Sequence, residues 1–239
     1  MFFNSSDRLM ISSLRGSTET ALYSLAYSLS AIILLIWNAV NNSLTPFVMD
    51  KYESKKYDEV SKVVYPIIVV FGSICFLIIL FAPEILCILG TKEYKAAVYV
   101  IPPIIGGVFF QSWYFVFTDL LYFYRKQKYV MIASICSAML NIILNYLLIP
   151  VLGFIAAGYT TLVCYALQAL VDYFVAEYVI HVSIIKSKQL VLLFGGMICC
   201  IILSEFLYTN TTFRFISVGI IAIFFIINRK MILKIIRIQ

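Results

Sequence analysis

An acidic and a basic residue stand side by side near the start of the chain, inside an apolar stretch. The chain opens MFFNSSDRLMISSLRG, in which Asp7 and Arg8 are followed by three apolar residues and, a few residues later, by Arg15. A secretory signal peptide has a different order: positive charge, an apolar run, then a small-residue cleavage site. Ionisable side chains inside a bilayer are costly and mark functional sites by default. Asp7 and Arg8 are therefore candidates for binding chemistry if this segment lies in a membrane.

Two further carboxylates lie inside long apolar runs. Asp172 has Gln168 at i−4, so both side chains share one helical face, and we predict a coupling or polar intramembrane role for them and for Asp119. An ion pair with Arg125 or Lys126 is an equally open interpretation of Asp119. Glu84, Glu177 and Glu205 lie near the ends of apolar runs and are interpreted as solvated.

Amide side chains also repeat at helical spacing. Asn38, Asn41 and Asn42 share one side of a helix, and Asn141 and Asn145 share a side of another. Such amides either join helices by hydrogen bonds or line a wet cavity, and the sequence leaves both open.

The sequence carries no recognisable catalytic constellation. It has one histidine, His181, and lacks a Walker A loop, an HExxH motif and a nucleophile elbow. Six cysteines without a CxxC pair are interpreted as small buried apolar side chains; they stand at positions 75, 87, 136, 164, 199 and 200. We therefore expect no enzyme, no cofactor and no metal site.

The composition requires lipid as the solvent for most of the chain. Of 239 residues, 63% are hydrophobic and 13% are charged, against about 45–50% and about 25% in soluble domains. The apolar runs are continuous rather than alternating, which favours helices over a barrel. The predicted fold class is all-α, a polytopic transmembrane helix bundle. The net charge is +6, and the basic residues lie between the apolar runs. Membrane topology explains this placement, so we expect no nucleic-acid partner.

About seven full spans can be placed by the length of bilayer that a helix must cross. The predicted spans are Ala21–Phe47, Val63–Phe81, Val98–Phe123, Val130–Ile149, Phe154–Ile180, Gln189–Leu207 and Phe213–Asn228. Pro66 is expected in the first turn of its span, and Pro150 at the end of its span. Gly153 then completes a tight hairpin.

The distribution of basic residues predicts the orientation. Thirteen Lys and Arg residues lie on one side of the predicted spans and three on the other, with Arg8 and Arg15 before the first span. The basic side is 51–62, 125–128, 186–188 and the tail 229–237. By the positive-inside rule this side and the C-terminus are cytoplasmic. Residues Met1–Leu14 are then predicted to be the outer part of a partial transmembrane helix, which would place Asp7 and Arg8 in the bilayer. The alternative is a disordered extracellular leader.

Three segments together resemble one transporter family. SDRLMISSLRGSTETALYSLAYSLS resembles the start of the second half of bacterial polysaccharide flippases of the Wzx type, as found in O-antigen synthesis. FAPEILCILGTKEYKAAVYVIPPI resembles their outer loop after the ninth helix, and NIILNYLLIPVLGFIAAGYTTLVCYALQ their eleventh-to-twelfth helix hairpin. These flippases belong to the multidrug/oligosaccharidyl-lipid/polysaccharide exporter superfamily.

The resemblance implies a function. Such proteins move undecaprenyl-diphosphate-linked oligosaccharide across the bacterial inner membrane, so membrane lipid and this glycolipid are the implied ligands. Arg8 then becomes the candidate pyrophosphate contact, with Asp7 beside it and Arg15 at the outer mouth. Asn38, Asn41, Asn141 and Asn145 are candidates for the cavity wall.

The resemblance also implies a domain organisation. The chain corresponds to the C-terminal lobe, with 1–15 as the remnant of a truncated helix, 16–180 as the lobe helices, and 181–239 as two extra helices and a basic tail. A separate N-terminal half or other polysaccharide-assembly proteins are then the implied partners.

Three alternatives remain open at this point. One is a drug or small-cation antiporter of the same superfamily. Another is a non-transporting fragment or scaffold that docks on a separate N-terminal half. A membrane enzyme of glycan assembly ranks last, because no loop between predicted spans exceeds roughly 20 residues and no catalytic cluster is present.

Overall fold

The computed structural model describes residues 2–89 and 92–227, and its described part consists of helices joined by short connections. This confirms the all-α fold class. Met1 and the predicted basic tail, 228–239, lie outside the described residues. The helices are α1 Phe2–Arg15, α2 Ser17–Glu53, α3 Tyr57–Leu80, α4 Ala82–Leu89, α5 Ile101–Phe123, α6 Gln127–Leu152, α7 Phe154–Val175, α8 Ser187–Thr209 and α9 Thr211–Ile227. A 3₁₀ segment, Lys92–Val100, precedes α5, and a π-helical turn, Ala176–Ile180, follows α7.

Six helices in the described part are long and apolar enough to cross a membrane. They are Ser17–Glu53, Tyr57–Leu80, Ala96–Phe123, Gln127–Leu152, Phe154–Ile180 and Ser187–Thr209. The seventh predicted span corresponds to α9, which is shorter, with 17 residues. The chain is therefore a multi-pass membrane protein. The segment at its start that was predicted as a partial helix forms α1, which has 14 residues.

Helices continue past the apolar runs that predicted them, which corrects the proline assignments. The second predicted span begins as a helix at Tyr57, so Pro66 lies inside α3 rather than in its first turn. Pro150 lies inside α6, which ends at Leu152. Apolar periodicity marks only the part of a helix that contacts lipid or core, whereas polar ends can extend the same helix into water.

Helix α5 is the centre of the bundle. It is apolar on all sides, as expected of a helix with neighbours on every face, and its buried residues run from Ile101 to Leu121. Glycines let α5 and α7 approach closely. A Cβ on Gly107 would lie 3.7 Å from the Leu162 Cα, and one on Gly158 would lie 3.1 Å from Pro103 Cγ of α5. Small residues at such contacts are typical of helix packing in membranes.

The surface cysteines differ from the prediction. Cys75 and Cys164 are buried, but Cys87, Cys136 and Cys199 are exposed on the bundle. The sequence pattern cannot separate a lipid-facing from a core-facing apolar residue, because both surroundings favour the same side chains.

Two connections at the predicted basic end have the same backbone structure. In the α2–α3 turn, Lys56 N donates to Lys51 O at 2.9 Å, and Lys55 has φ +57°. In the α5–α6 turn, Lys126 N donates to Leu121 O at 2.7 Å, and Arg125 has φ +54°. Both are Schellman motifs, in which glycine is the usual left-handed residue. The hydroxyls of Tyr57 and Tyr124 hydrogen-bond, so both turns lie at one end of the bundle, as the positive-inside assignment requires.

Replacing Arg125 with glycine should stabilise the chain. A non-glycine residue in the left-handed conformation costs about 1–2 kcal/mol. Glycine avoids this cost but loses more conformational entropy on folding, so we expect the free energy of unfolding to rise by about 0.5–1 kcal/mol. The matched control, Arg125→Ala, removes the same charge but keeps the strained conformation and should gain nothing. Denaturant unfolding in detergent micelles measures both. Equal stability of the two variants would contradict this account.

Candidate functional site

Asp7 is completely buried, and three neutral side chains donate hydrogen bonds to its carboxylate. Tyr23 OH donates to Oδ2 at 2.7 Å, and Thr161 Oγ1 donates to the same oxygen at 2.8 Å. Asn145 Nδ2 donates to Oδ1 at 2.6 Å. The donors come from α2, α7 and α6, so one carboxylate on α1 joins four helices. Charge-assisted hydrogen bonds of this kind are about twice as strong as neutral ones.

A second layer of side chains orients the donors. Asn141 Nδ2 donates to Thr161 Oγ1 at 3.1 Å, which directs the Thr161 hydrogen toward Asp7. Asn145 Nδ2 also lies 3.2 Å from Asn141 Oδ1, and Thr160 Oγ1 donates to Asn145 Oδ1. We call Asp7, Tyr23, Asn141, Asn145, Thr160 and Thr161 the Asp7 cluster. In this cluster the two predicted amides join helices, and both are completely buried.

Sequence reasoning missed the hydroxyl members of this cluster. Tyr23, Thr160 and Thr161 are ordinary residues in apolar helices and carry no charge that would single them out. The available signal was the Thr160–Thr161 pair, which follows the tight hairpin that brings α7 back against Asn141 and Asn145. A hairpin of one residue requires adjacent antiparallel helices, so these positions had to face each other.

Arg8 does not pair with its neighbour Asp7. Its guanidinium lies over the Tyr27 ring, with Cζ 5.6 Å from the ring centroid. The Nε atom is buried and has no hydrogen-bond partner among the described residues. The side chain as a whole is half-buried. The three side chains that donate hydrogen bonds to Asp7 are neutral, so Arg8 is not among the partners of this carboxylate.

Arg15 and Glu19 form a clasp between two turns. Arg15 Nε donates to Ile149 O at 3.2 Å and lies 3.7 Å from Glu19 Oε1. Glu19 Oε2 accepts a hydrogen bond of 2.9 Å from Phe154 N, the first residue of α7. A carboxylate at this position caps the helix and complements its dipole. Arg15, predicted as a cation at the outer mouth, is thus engaged in holding the α1–α2 turn to the α6–α7 turn.

Asp119 forms a separate contact with α2. Thr45 Oγ1 lies 3.2 Å from Asp119 Oδ2, and Asn41 Nδ2 lies 3.4 Å from the same oxygen. This geometry favours helix contact over the alternative ion pair with the neighbouring basic turn. Asn38, one turn earlier on α2, is half-buried. None of these residues belongs to the Asp7 cluster.

Asp172 and Gln168 lie on α7 on the side of the helix that faces the core. Asp172 is completely buried, and neither carboxylate oxygen has a hydrogen-bond partner among the described residues. Gln168 Nε2 donates to Ser134 Oγ of α6 at 2.7 Å. The predicted candidates therefore divide into the Asp7 cluster, the Asp119 contact and the Asp172 region.

The Glu84 side chain is 38% exposed, in keeping with its place near a span end, but it also has a charged partner. Glu84 forms an ion pair with Arg214, which is 5% exposed, and this pair ties α9 to α4. Glu205 accepts a hydrogen bond of 2.9 Å from Tyr159 OH but remains exposed. The two partners of the ion pair are 130 residues apart in the chain, so sequence spacing gave no indication of it.

Comparison with known proteins decides the family. The MatE family model matches residues 1–147, which is more than half of the chain. The chain belongs to the MatE family. This confirms the predicted membership of the exporter superfamily and indicates a membrane transporter. Most of the Asp7 cluster, from Asp7 to Asn145, lies within the matched segment.

One curated relative carries a flippase name. The probable low-salt glycan biosynthesis flippase Agl15 of Haloferax volcanii is 26% identical over 171 residues. The alignment covers 70% of this chain and 36% of the relative, so the MatE chain described here spans roughly a third of that protein's length. No solved structure matched the chain.

In the described part of the chain, no group of three or more His, Cys, Asp or Glu side chains could hold a metal ion. The Asp7 cluster provides a rigid polar joint at depth, and Arg8 provides a cation next to it. Fixed dipoles beside a positive charge favour recognition of an anionic group.

Replacing Thr161 with valine should destabilise the bundle. The change keeps the shape of the side chain but removes one donor to a buried carboxylate, which costs about 1.5–3 kcal/mol. Thr209→Val is the matched control, because the Thr209 hydroxyl is exposed and bonds only within its own helix, to Phe206 O. Unfolding by sodium dodecyl sulfate, followed by circular dichroism, compares the two. An equal effect of both variants would show that Asp7 gains nothing from Thr161.

Replacing Gly153 with alanine should disrupt the clasp. Gly153 has φ +70°, and an added Cβ would lie 3.0 Å from Glu19 Oε2 and 3.5 Å from Arg15 Nη2. We expect a loss of about 1–3 kcal/mol from the conformation alone, because ψ is −160° and this region is nearly restricted to glycine. The control is Gly195→Ala in α8, where nothing lies within 4 Å and the change should stabilise the helix by up to about 1 kcal/mol. Opposite signs in the same unfolding assay are the expected result, and matching signs would contradict the strain and close contact assigned to an added Cβ at Gly153.

Proposed function

We propose that the chain is the C-terminal portion of a flippase that moves lipid-diphosphate-linked oligosaccharide across a membrane for surface polysaccharide synthesis. The MatE match and the flippase name of the Haloferax volcanii relative support this proposal. The observation that carries it is the Arg8 guanidinium beside the Asp7 cluster, which lies over the Tyr27 ring and whose Nε has no hydrogen-bond partner among the described residues. The proposed domain organisation is 1–15, 16–180 and 181–239, as the resemblance implies.

A diphosphate is the part of such a glycolipid that opposes transfer most strongly. Its negative charge must cross a low-dielectric layer, where an unpaired ion costs several kcal/mol. A guanidinium suits this group, since its planar donors match phosphate oxygens and it stays charged at depth. Arg8 carries such a guanidinium. Neutral side chains are the hydrogen-bond donors to Asp7, and no described residue is hydrogen-bonded to Arg8 Nε.

The Asp7 cluster would keep this cation in place. Asp7 precedes Arg8 in the same helix, so the three donors that fix Asp7 also fix the backbone from which Arg8 extends. The Arg15–Glu19 clasp holds the other end of α1. Pre-organised binding groups spend less free energy on ordering when the ligand arrives.

The proposal includes a location and partners. The distribution of basic residues supports a cytoplasmic C-terminus, and the resemblance implies the bacterial inner membrane. A partner that supplies the first lobe follows from the resemblance, because one lobe alone cannot enclose a sugar headgroup. Undecaprenyl-diphosphate-linked oligosaccharide is the proposed ligand, in keeping with the same resemblance.

Deletion of the gene in its host tests the cellular role. We expect loss of surface polysaccharide and accumulation of lipid-linked oligosaccharide on the cytoplasmic side. Unchanged surface polysaccharide together with greater sensitivity to toxic cations would instead support the small-molecule antiporter.

Replacing Arg8 with glutamine should weaken binding of a polyprenyl diphosphate that carries a short oligosaccharide. Loss of a charge-assisted contact of about 1.5–3 kcal/mol corresponds to roughly 10- to 100-fold in affinity. The matched control is Arg125→Gln, which removes the same charge from an exposed turn. Binding to the purified chain in lipid nanodiscs measures the effect, with an uncharged lipid bearing the same glycan as the reference ligand. Unaltered affinity in Arg8→Gln, or equal affinity for the two lipids, would overturn the role of Arg8.

A further inference from the structure

A charged cavity lies at the basic end of the bundle, between the α2–α3 turn and the connection from α7 to α8. Its volume is about 510 Å³. Small-molecule sites in proteins have volumes of about 300–1,000 Å³, so this cavity is large enough for a phospholipid headgroup. Ser183 lines the cavity from the α7–α8 connection, and the charged lining comes from the turn and the start of α3: Lys55, Lys56, Asp58, Glu59 and Lys62.

Glu59 is already paired within the protein. Lys56 Nζ lies 3.6 Å from Glu59 Oε1, and Lys51 Nζ, at the end of α2, lies 3.2 Å from Glu59 Oε2. These two lysines and Glu59 therefore hold the start of α3 to the end of α2, and their charges largely cancel.

The other three charged side chains of the cavity are not matched in this way. Lys55, Lys62 and Asp58 are exposed and form no ion pair in the described part of the chain. Asp58 and Lys62 are one turn apart on α3 and so share a side of the helix. A purely anionic ligand would meet Asp58 as a like charge, and a purely cationic one would meet the two lysines. The lining therefore complements a ligand that carries both signs.

The backbone at Lys55 is strained. Its φ is +57°, in the left-handed region, at the position of a Schellman motif where glycine is the usual residue. Glycine would make the same turn without the steric cost of a Cβ. Strain of this kind is concentrated at ligand-binding positions, and Lys55 lines the cavity. The strain is thus a second observation that favours a binding role for this lysine.

The cavity lies where α3 enters the apolar layer. The apolar run of α3 begins at Val63, directly after Lys62. A lysine at such a boundary lays its stem along apolar surface and keeps its ammonium group among the lipid headgroups. Tyr57 and Tyr124 form their hydrogen bond at this end of the bundle, and tyrosine is enriched at membrane interfaces. A membrane lipid therefore reaches this cavity with its headgroup.

We propose that this cavity binds the headgroup of a phospholipid that carries a phosphodiester and a primary ammonium group, which is the chemistry of phosphatidylethanolamine. Lys55 and Lys62 bind the phosphate, the Ser183 hydroxyl donates a hydrogen bond to it, and Asp58 binds the ammonium group. One lipid then joins the α2–α3 turn to the connection that leads into α8. The site shares no residue with the Asp7 cluster or with Arg8, and the inference goes beyond the proposed function.

Native mass spectrometry of the delipidated chain in detergent tests the headgroup preference. The probes are phosphatidylethanolamine, phosphatidylglycerol and phosphatidylcholine with identical acyl chains, and free phosphoethanolamine. We expect phosphatidylethanolamine to bind roughly 10-fold more tightly than each of the others, because phosphatidylglycerol lacks the cation, phosphatidylcholine lacks ammonium N–H donors and phosphoethanolamine lacks the chains. Equal affinity for the three lipids, a preference for either of the other two, or equally tight binding of free phosphoethanolamine would overturn the assignment.

Three variants separate the roles of the charges. Asp58→Asn should abolish the preference for phosphatidylethanolamine over phosphatidylglycerol, because the partner of the ammonium group is lost while the lysines remain. Lys55→Gln and Lys62→Gln should each weaken phosphatidylethanolamine binding by roughly 10-fold. The matched control is Arg125→Gln, which removes the same charge from a left-handed position in the equivalent turn, outside the cavity lining. Equal effects of Lys55→Gln and Arg125→Gln would show that lipid is attracted only by the overall charge of this end.

Folding and the link to α8 are measured separately. The substituted side chains are exposed, so circular dichroism should match the wild type; if Lys62→Gln does not, Lys62→Arg keeps the charge and must retain binding. Amide hydrogen exchange in residues 181–186 should be several-fold slower in phosphatidylethanolamine nanodiscs than in phosphatidylcholine nanodiscs. An unchanged rate would contradict the contact with Ser183. Since no oligosaccharide lipid is present, these outcomes are independent of the Arg8 binding experiment.

Discussion

A buried carboxylate at membrane depth must be given donors or a proton, and the placement of α1 depends on how Asp7 meets this requirement. Its three donors belong to α2, α6 and α7, so α1 cannot rotate or slide without leaving a charge unsatisfied. The same fixation determines where Arg8 lies and frees its charge from Asp7. The position that we propose for the anion is therefore a consequence of the hydrogen bonds made by the preceding residue.

The remainder of the bundle supports this joint from both ends. At the α1–α2 end, the Arg15–Glu19 pair contacts Ile149 O and Phe154 N and so connects the two glycine-containing turns. At the opposite end, the tyrosine pair Tyr57 and Tyr124 links two Schellman turns. Between the ends, close α5–α7 packing at glycines keeps the helices in register. Hydrogen bonds and close packing are the interactions available inside a membrane, where lipid removes the hydrophobic driving force between helices.

The sequence predicted the class of fold and much of the site, for physical reasons that differ from residue to residue. Long apolar runs have few solutions in lipid, so the spans were predictable, although the helices proved longer where polar ends such as Tyr57–Asp58 continue them. Asp7, Asn141 and Asn145 were predictable because polar groups at depth are costly. Tyr23 and Thr161 were not predictable, since burying a hydroxyl in an apolar helix costs little free energy. The role of Thr161 also depends on a partner, Asp7, that lies more than a hundred residues away in the chain. The Glu84–Arg214 pair escaped prediction for the same reason.

Coupling between Asp7 and Asn145 is the central claim of this account, and a double-mutant cycle measures it directly. The cycle consists of Asp7→Asn, Asn145→Ala and the double variant, each compared with the wild type for its free energy of unfolding in lipid-detergent bicelles. Residues that share a buried hydrogen bond show interaction energies of about 0.5–3 kcal/mol. We predict a coupling above about 1 kcal/mol, because the contact is charge-assisted, buried and 2.6 Å long. Additive effects of the two substitutions would show that Asp7 does not hold α1 against α6, and would remove the basis for placing Arg8.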